Sequence, residues 1–370
     1  MRIGILTLPL HTNYGGILQA YALQTVLERM GHDVVVFDSP YQYKISFLKK
    51  IIAYPKRFIC KYVFRKKGAI IRFEEYATHV NCVKRKNTQP FINKYIHRLE
   101  LTDLYKLNRK DFDAIVVGSD QIWRPKYYPT IEKAFLDFTK GWNIKRIAYA
   151  PSFGVDNWEY NDDQTETCKI LLGMFDAVSV REKSGQELCR KFFCHDAECV
   201  LDPTMLLNSE DYIKLFKDNN TPQSDGTLLD YMLDRDDNKI AIINEIATQT
   251  GTKSFRLNSR VEDYSAPLKE RVQPAVEKWL RGFYDAKFIV TDSFHACVFS
   301  IMFRKQFFVV ANRERGMSRL DSLLGYFGLT DRIVSNASTA ASLPEIDYKA
   351  VYEKLEVMRI KSMDFLKNAL

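Results

Sequence analysis

No apolar run in this 370-residue chain approaches the ~20 residues that a bilayer-spanning helix requires. A leader is not evident either: Arg2, Ile3, Gly4 and Ile5 enter a strand-like pattern directly, with no basic region, apolar stretch and small-residue cleavage site. A cytoplasmic protein is therefore expected. The seven cysteines, Cys60, Cys82, Cys168, Cys189, Cys194, Cys199 and Cys297, are odd in number and contain no C-x-x-C pair. That pattern argues against a disulfide framework and against a zinc site, and the thiols are expected to be buried small hydrophobes. Neither a G-x-G-x-x-G turn nor a recognised nucleic-acid motif nor an internal repeat is present. No metal, resident cofactor or nucleic-acid partner is expected.

Acidic residues are missing from one long stretch. Residues 44–72 contain no Asp or Glu but carry Lys44, Lys49, Lys50, Lys56, Arg57, Lys61, Arg65, Lys66, Lys67 and Arg72, with Tyr54, Phe58, Tyr62 and Phe64 interleaved. Such a basic, aromatic, helical segment suits an anionic membrane surface, in which case the protein would sit at the inner face of the membrane. It equally suits an acidic substrate, or a solvated helical insertion with snorkelling lysines; nucleic acid is a third option, with no recognised motif to accompany it.

The rest of the composition is ordinary. Hydrophobic residues make up 46% and charged residues 27%, with a net charge of +8, so a large core can be buried and two domains are expected from the length. Residues 2–8 (RIGILTL) read as a buried parallel strand, followed by a polar loop with His11, Asn13, Gly15 and Gly16 and a helix from about Ile17 to Met30. Gly15 and Gly16 would let backbone approach a phosphate or sugar. Strands at 33–38, 113–117, 146–150 and 177–180 follow, the last three ending in the turns GSDQIW, PSFG and REKSG. In a parallel sheet all such turns gather on one edge, where ligands of open α/β sheets sit.

Asp202-Pro203 marks the exit from a first domain, 1–205, which carries a basic helical insertion at about 40–110. A second alternation of strands and helices spans 206–370 and ends in terminal helices. The sharpest turn lies there. Phe288, Ile289 and Val290 form a short buried strand, Thr291, Asp292 and Ser293 are turn and N-cap formers, and apolar residues then recur at helical spacing. His295 is thus placed at a helix N-terminus, which favours a bound anion; the alternative is that Asp292 or Ser293 caps the helix and His295 satisfies a local bond. The fold class expected is α/β, with two Rossmann-like domains facing a central cleft.

Taken in order, NYGGILQAYAL, VVGSDQIW, YAPSFG, SVREKSG, VLDPTML, TDSFHA and RGMSRLDSLLGYFGL resemble the polysaccharide pyruvyl transferase family. The resemblance implies a two-domain fold similar to the GT-B glycosyltransferase architecture. It implies transfer of a pyruvyl group from phosphoenolpyruvate to a sugar or lipid-linked glycan, giving a cyclic ketal and phosphate, in surface polysaccharide synthesis. His295 matches the family's catalytic histidine, and Arg181 matches an arginine implicated in holding phosphoenolpyruvate. Better characterised members have an arginine two positions before the histidine, where this chain has Ser293; Arg313, Arg315 or Arg319 would supply the missing charge.

Ketal formation needs an acid aimed at the donor methylene, a role suited to His295. Guanidinium groups match carboxylate and phosphate, so Arg181 and Arg313, Arg315 and Arg319 form the expected anion clamp. Asp120, beside Ser119, either orients or deprotonates an acceptor hydroxyl or merely caps its turn. Trp123 either stacks on a sugar or belongs to the core. A nucleotide-sugar glycosyltransferase of the same architecture is one rival, although residues 296–304 contain no Asp or Glu to grip a donor ribose. A non-catalytic sugar- or phosphate-binding module is the other.

Overall fold

The computed structural model describes residues 1–39, 45–66, 68–312 and 316–370. Its first sheet contains β1 (Arg2–Leu6), β2 (Asp33–Asp38), β3 (Arg98–Glu100), β4 (Ala114–Val117), β5 (Lys145–Ala148), β6 (Ala177–Val180) and β7 (Glu198–Cys199), in the order β3-β2-β1-β4-β5-β6-β7. Every pairing described in it is parallel, with Ile5 opposite both Val36 and Val116. The second sheet comprises β8 (Leu228–Tyr231), β9 (Ser254–Arg256), β10 (Phe288–Thr291), β11 (Gln306–Val310) and β12 (Ile333–Val334), in the order β12-β11-β10-β8-β9, again parallel. The chain is therefore α/β with two Rossmann-like domains. The central strands β1, β4, β8 and β10 are almost wholly buried, as strands covered on both faces must be.

Strand order reverses between β1 and β4 in the first sheet and between β8 and β10 in the second. Connections there leave in opposite directions and open a crevice at the carboxyl edge. The loop after β1 leads into α1 (Tyr14–Arg29), and the turn after β10 leads into the helix Phe294–Met302. These two helix starts face each other across the domains.

One apolar core runs through both domains, from Ile3 and Ile17 to Trp279, Phe299 and Phe365. Tyr14 of α1 stacks on Trp279 with ring centroids 5.2 Å apart, and its hydroxyl donates to the Pro274 carbonyl at 2.8 Å. The C-terminal helix Tyr348–Ala369 spans the same junction. At one end Tyr352 donates to the Met302 carbonyl; towards the other, Arg359 donates to the carbonyls of Met205 and Leu207, and Ser362 accepts from the Leu201 N–H.

Several expectations need correction. The stretch at 40–110 is not wholly an insertion, because β3 lies within it as the edge strand of the first sheet, with Arg98 on Asp38 at 2.9 Å. Its three residues, RLE, offer no apolar run to betray a strand. β12, two residues long, was equally unreadable. The first helix starts at Tyr14, taking Gly15 and Gly16 into its first turn. Cys168, Cys189 and Cys297 are buried as expected, but Cys82 and Cys194 are exposed, Cys194 sitting in a left-handed position just past a helix end.

Trp279→Ala removes a side chain that touches Tyr14 from one domain and Tyr231 and Phe299 from the other. Urea unfolding is expected to show a loss of about 3–5 kcal/mol.

Candidate active site

The turn after β10 presents His295 because its neighbours are drawn elsewhere. Asp292 does not cap the helix. Its carboxylate accepts from the N–H groups of Leu233 (2.7 Å) and Asp234 (3.3 Å), from Lys239 Nζ (3.0 Å) and from Asn312 Nδ2 (3.0 Å). Ser293 occupies the N-cap position, but its side chain makes no capping bond. α1 is alike: Asn13 is its N-cap and makes no capping bond, its amide donating instead to Asp120 Oδ2 at 3.0 Å. Two helix starts therefore meet with no side-chain cap, and their first-turn N–H groups and dipoles favour negative charge between them.

Gly15 is needed where it stands. A Cβ there would lie 2.0 Å from His295 Nδ1, so only glycine lets α1 seat against the imidazole. A Cβ at Gly16 would crowd Asn13 and Asp120 at 3.3 Å. On its other side His295 Nε2 faces Asp202 Oδ2 at 3.6 Å, beyond hydrogen-bond distance yet close enough for charge attraction. The His295 side chain keeps a tenth of its surface, so the cleft is narrow but not sealed.

Asp202 is the junction of the site. Wholly buried, it receives Arg181 Nη1 at 2.7 Å, Ser119 Oγ at 2.8 Å and the Thr204 hydroxyl at 2.6 Å. Burial pushes its carboxyl up, but His295, Arg181 and Thr204 outweigh burial and hold it well below the usual carboxylate range. The Arg181 guanidinium also lies 3.5 Å from Asp120 and 3.8 Å from Glu182, and its side chain has no exposed surface. Burial alone would lower its pKa; Asp202 first, then Asp120 and Glu182, raise it instead. Its other face lies on the Phe294 ring, 4.6 Å from the centroid.

Arg181 is therefore not the open anion clamp that the resemblance implies, because its charge is already met by carboxylates. It is a positioning residue for Asp202. Ser119, fully buried between Arg181 and Asp202, is likewise a strut and offers no surface to a ligand. Asp120 follows the turn-capping alternative: Oδ1 accepts from the Gln121 N–H and Oδ2 from Asn13, leaving neither oxygen without a donor. Its backbone, at φ 76° and ψ −179°, lies in a region that costs a non-glycine residue ~1–3 kcal/mol, a strain that clusters at functional turns. Trp123 is a core residue with no exposed surface, stacked on Phe135 at 4.8 Å and donating to the Ala134 carbonyl, so it cannot stack on a sugar.

Arg319 does reach the site. Its guanidinium lies 6.0 Å from the Phe294 centroid, so Phe294 has Arg181 and Arg319 on its faces or edges. Burial, then the charge of Arg181, pushes Arg319 down to about 10, which leaves it cationic at neutral pH. Gly316 brings this segment across the cleft: a Cβ there would lie 2.8 Å from the Gly154 carbonyl of the first domain. Arg313 and Arg315 lie outside the described residues. The structure thus gathers His295, Asn13, Gly15, Gly16, Ser293 and Arg319 at one junction. It adds Asp202, Glu182 and Phe294, which stand in VLDPTML, SVREKSG and TDSFHA but carry no spacing that marks them as site residues. Among the described residues no group of three or more His, Cys, Asp and Glu side chains is placed to hold a metal. The hollow lined by Lys145, Asp176, Glu198 and Phe365 lies at the opposite, amino edge of the first sheet.

Fold and site together define a two-domain α/β protein whose switch points converge on a histidine backed by a buried carboxylate and guanidinium. The chain belongs to the polysaccharide pyruvyl transferase family, whose sequence model, described as Polysaccharide pyruvyl transferase, matches residues 13–314. It is a transferase by that membership. No curated protein matches the sequence. Solved structures with a similar course of chain include UDP-GlcNAc 2-epimerase from Neisseria meningitidis bound to UDP-GlcNAc, at 10% identity and TM-score 0.48, covering 98% of this chain and 94% of that one. Arabidopsis thaliana UGT89C1 complexed with UDP gives the same four figures. The Escherichia coli ADP-heptose LPS heptosyltransferase II covers 98% of this chain and 99% of that one at 10% identity and TM-score 0.39.

Asp202→Asn removes the charge that Arg181 and His295 share. A loss of about 3 kcal/mol is expected in chemical denaturation, because a buried guanidinium is left under-compensated. A second expectation concerns His11, at the lip of the cleft, where the Thr88 hydroxyl donates to its carbonyl. Burial first, then Lys84 and Arg85, lower its pKa from 6.5 to about 4. The unfolded chain takes up this proton near pH 6.5 and the folded chain only near pH 4, so the contribution is complete above pH 6.5 and is lost as pH falls to 4. His11→Gln should remove up to about 3 kcal/mol of that acid sensitivity, read as the difference in unfolding free energy between pH 7 and pH 4.5.

Proposed function

We propose that this protein transfers the pyruvyl group of phosphoenolpyruvate to a pair of hydroxyls on a sugar, forming a cyclic ketal in the synthesis of a surface polysaccharide. The observation that carries this is the meeting of His295 with two side-chain-uncapped helix starts, against the buried Asp202 and Arg181. Phosphoenolpyruvate brings a carboxylate and a phosphate to a small volume, and both are stabilised by first-turn N–H groups and by a guanidinium. Arg319 supplies that cation here, in place of the arginine absent at Ser293.

The chemistry runs as proton transfer and two additions. His295 protonates the donor methylene to a methyl group, and the first sugar hydroxyl adds to the electrophilic C2 as its own proton departs. The C2–O bond to phosphate then breaks, and the second hydroxyl closes the ketal. Of the two hydroxyl protons lost, one balances the proton now on the methyl group and the other leaves with phosphate. Asp202, held ionised by its partners, stabilises the protonated imidazole before the transfer. No step calls for a metal. Because His295 keeps only a tenth of its surface, entry of the acceptor requires the Gly15 to His295 and Gly154 to Gly316 contacts to loosen.

His295→Ala tests this. Phosphate release from phosphoenolpyruvate in the presence of candidate glycans should fall at least ~100-fold, while donor affinity by calorimetry moves less than about threefold. Nucleotide release from a nucleotide sugar, with phosphoenolpyruvate untouched, would instead assign the cleft to glycosyl transfer.

A further inference from the structure

The basic stretch folds into α2 (Phe47–Tyr62), a helix of 16 residues not one of which is buried. At 100° per residue, Phe47, Leu48, Ile51, Ile52, Phe58 and Ile59 fall on one continuous face. That face is turned away from the protein: Phe47 is 76%, Leu48 73% and Ile52 72% exposed. The half-buried residues Ala53, Tyr54, Arg57 and Cys60 fall on the other side. Arg57 fixes this orientation with two 2.8 Å bonds to Glu74 and one to the Ile71 carbonyl. A soluble helix buries its apolar stripe inward and shows its charge; α2 does the reverse.

We infer that α2 lies flat in the headgroup region of an anionic bilayer, its apolar face among the upper acyl chains. Charge selects this occupant over a second copy of the chain. The exposed Lys49 and Lys56 stand along one margin of the apolar face and Lys61 along the other, where they meet lipid phosphates. Two copies facing each other would bring together stretches holding ten cations and no carboxylate each, which Coulomb repulsion disfavours. At about 1.5 Å per residue the helix is roughly 24 Å long, enough to rest on the surface and too short and too charged to cross it.

α2 is also joined to the cleft. Glu74 belongs to the helix Phe73–Lys84, beyond which the Lys84 carbonyl accepts from Gln273 and Thr88 donates to His11. The lip of the cleft is thereby tethered to the bilayer. That an acceptor on a lipid carrier is met there rests on the proposed reaction; the contact itself does not.

The test uses full-length protein and sedimentation with sucrose-loaded vesicles, with no substrate present, so that its outcome is separate from that of any turnover assay. At a lipid concentration that pellets half the protein with ~30% phosphatidylglycerol in phosphatidylcholine, phosphatidylcholine alone should bind roughly tenfold less, and ~0.5 M NaCl should weaken binding as much. The double substitution Ile52→Asp and Phe58→Asp should lower partitioning at least ~tenfold with the melting temperature unchanged, because both side chains are exposed. Lys49→Gln with Lys56→Gln provides a second variant, expected to lose the preference for anionic lipid. Equal recovery in the supernatant with and without lipid overturns the inference. So does a dimer in size-exclusion chromatography that the Asp variant converts to monomer without any vesicle binding.

Discussion

A guanidinium with no exposed surface is stable only where carboxylates surround it, and the geometry of the cleft follows from how this protein meets that demand for Arg181. β6 delivers the arginine, β4 delivers Ser119 and Asp120, and the turn after β7 delivers Asp202. Three strand ends of one parallel sheet are thus locked by charge. Asp202 then holds its remaining attraction for His295, which arrives from the other domain. Removing any member leaves a buried charge exposed to the low-dielectric interior, so the cluster is both the seam between domains and the electrostatic setting of the imidazole.

Helix geometry completes that setting. In both domains the helix at the switch point starts without a side-chain cap: Asn13 is diverted to Asp120, while Ser293 makes no capping bond and its neighbour Asp292 turns to the backbone of residues 233 and 234. The diverted caps leave positive helix ends aimed at one volume, and Gly15 lets them come within contact of His295. Asp120 keeps its strained backbone because Gln121, Asn13, Arg181 and the pairing with Pro151 over-determine it. Helix ends of this sign favour negative charge between them.

Much of this was legible in the order of residues. Strands such as AIVV and FIVT announce themselves because burial on both faces forces unbroken apolar runs, and the turns behind them stand out as polar punctuation. His295 and Arg319 could be placed near the cleft from those turns. What could not be read is where charge is already spent. Arg181 looks like a ligand clamp in SVREKSG, and only the convergence of Asp202, Asp120 and Glu182 shows its charge to be met within the protein, although its Nε keeps no hydrogen-bond partner among the described residues. Asp202 looked like the end of a domain because Pro203 follows it. Trp123 gave no sign of facing Phe135, since that contact is not fixed by spacing along the chain. β3, with one apolar residue in RLE, and β12, two residues long, carry no alternation that marks them as strands.

The most direct measurement is isotopic. With phosphoenolpyruvate and a competent acceptor in heavy water, protonation of the methylene by an exchangeable acid predicts a product ketal whose methyl group carries one deuterium, formed together with inorganic phosphate in equal amount. A glycan that gains mass without deuterium in a methyl group, or that gains a sugar at the expense of a nucleotide donor while phosphoenolpyruvate persists, would contradict the proposed proton transfer to the donor methylene.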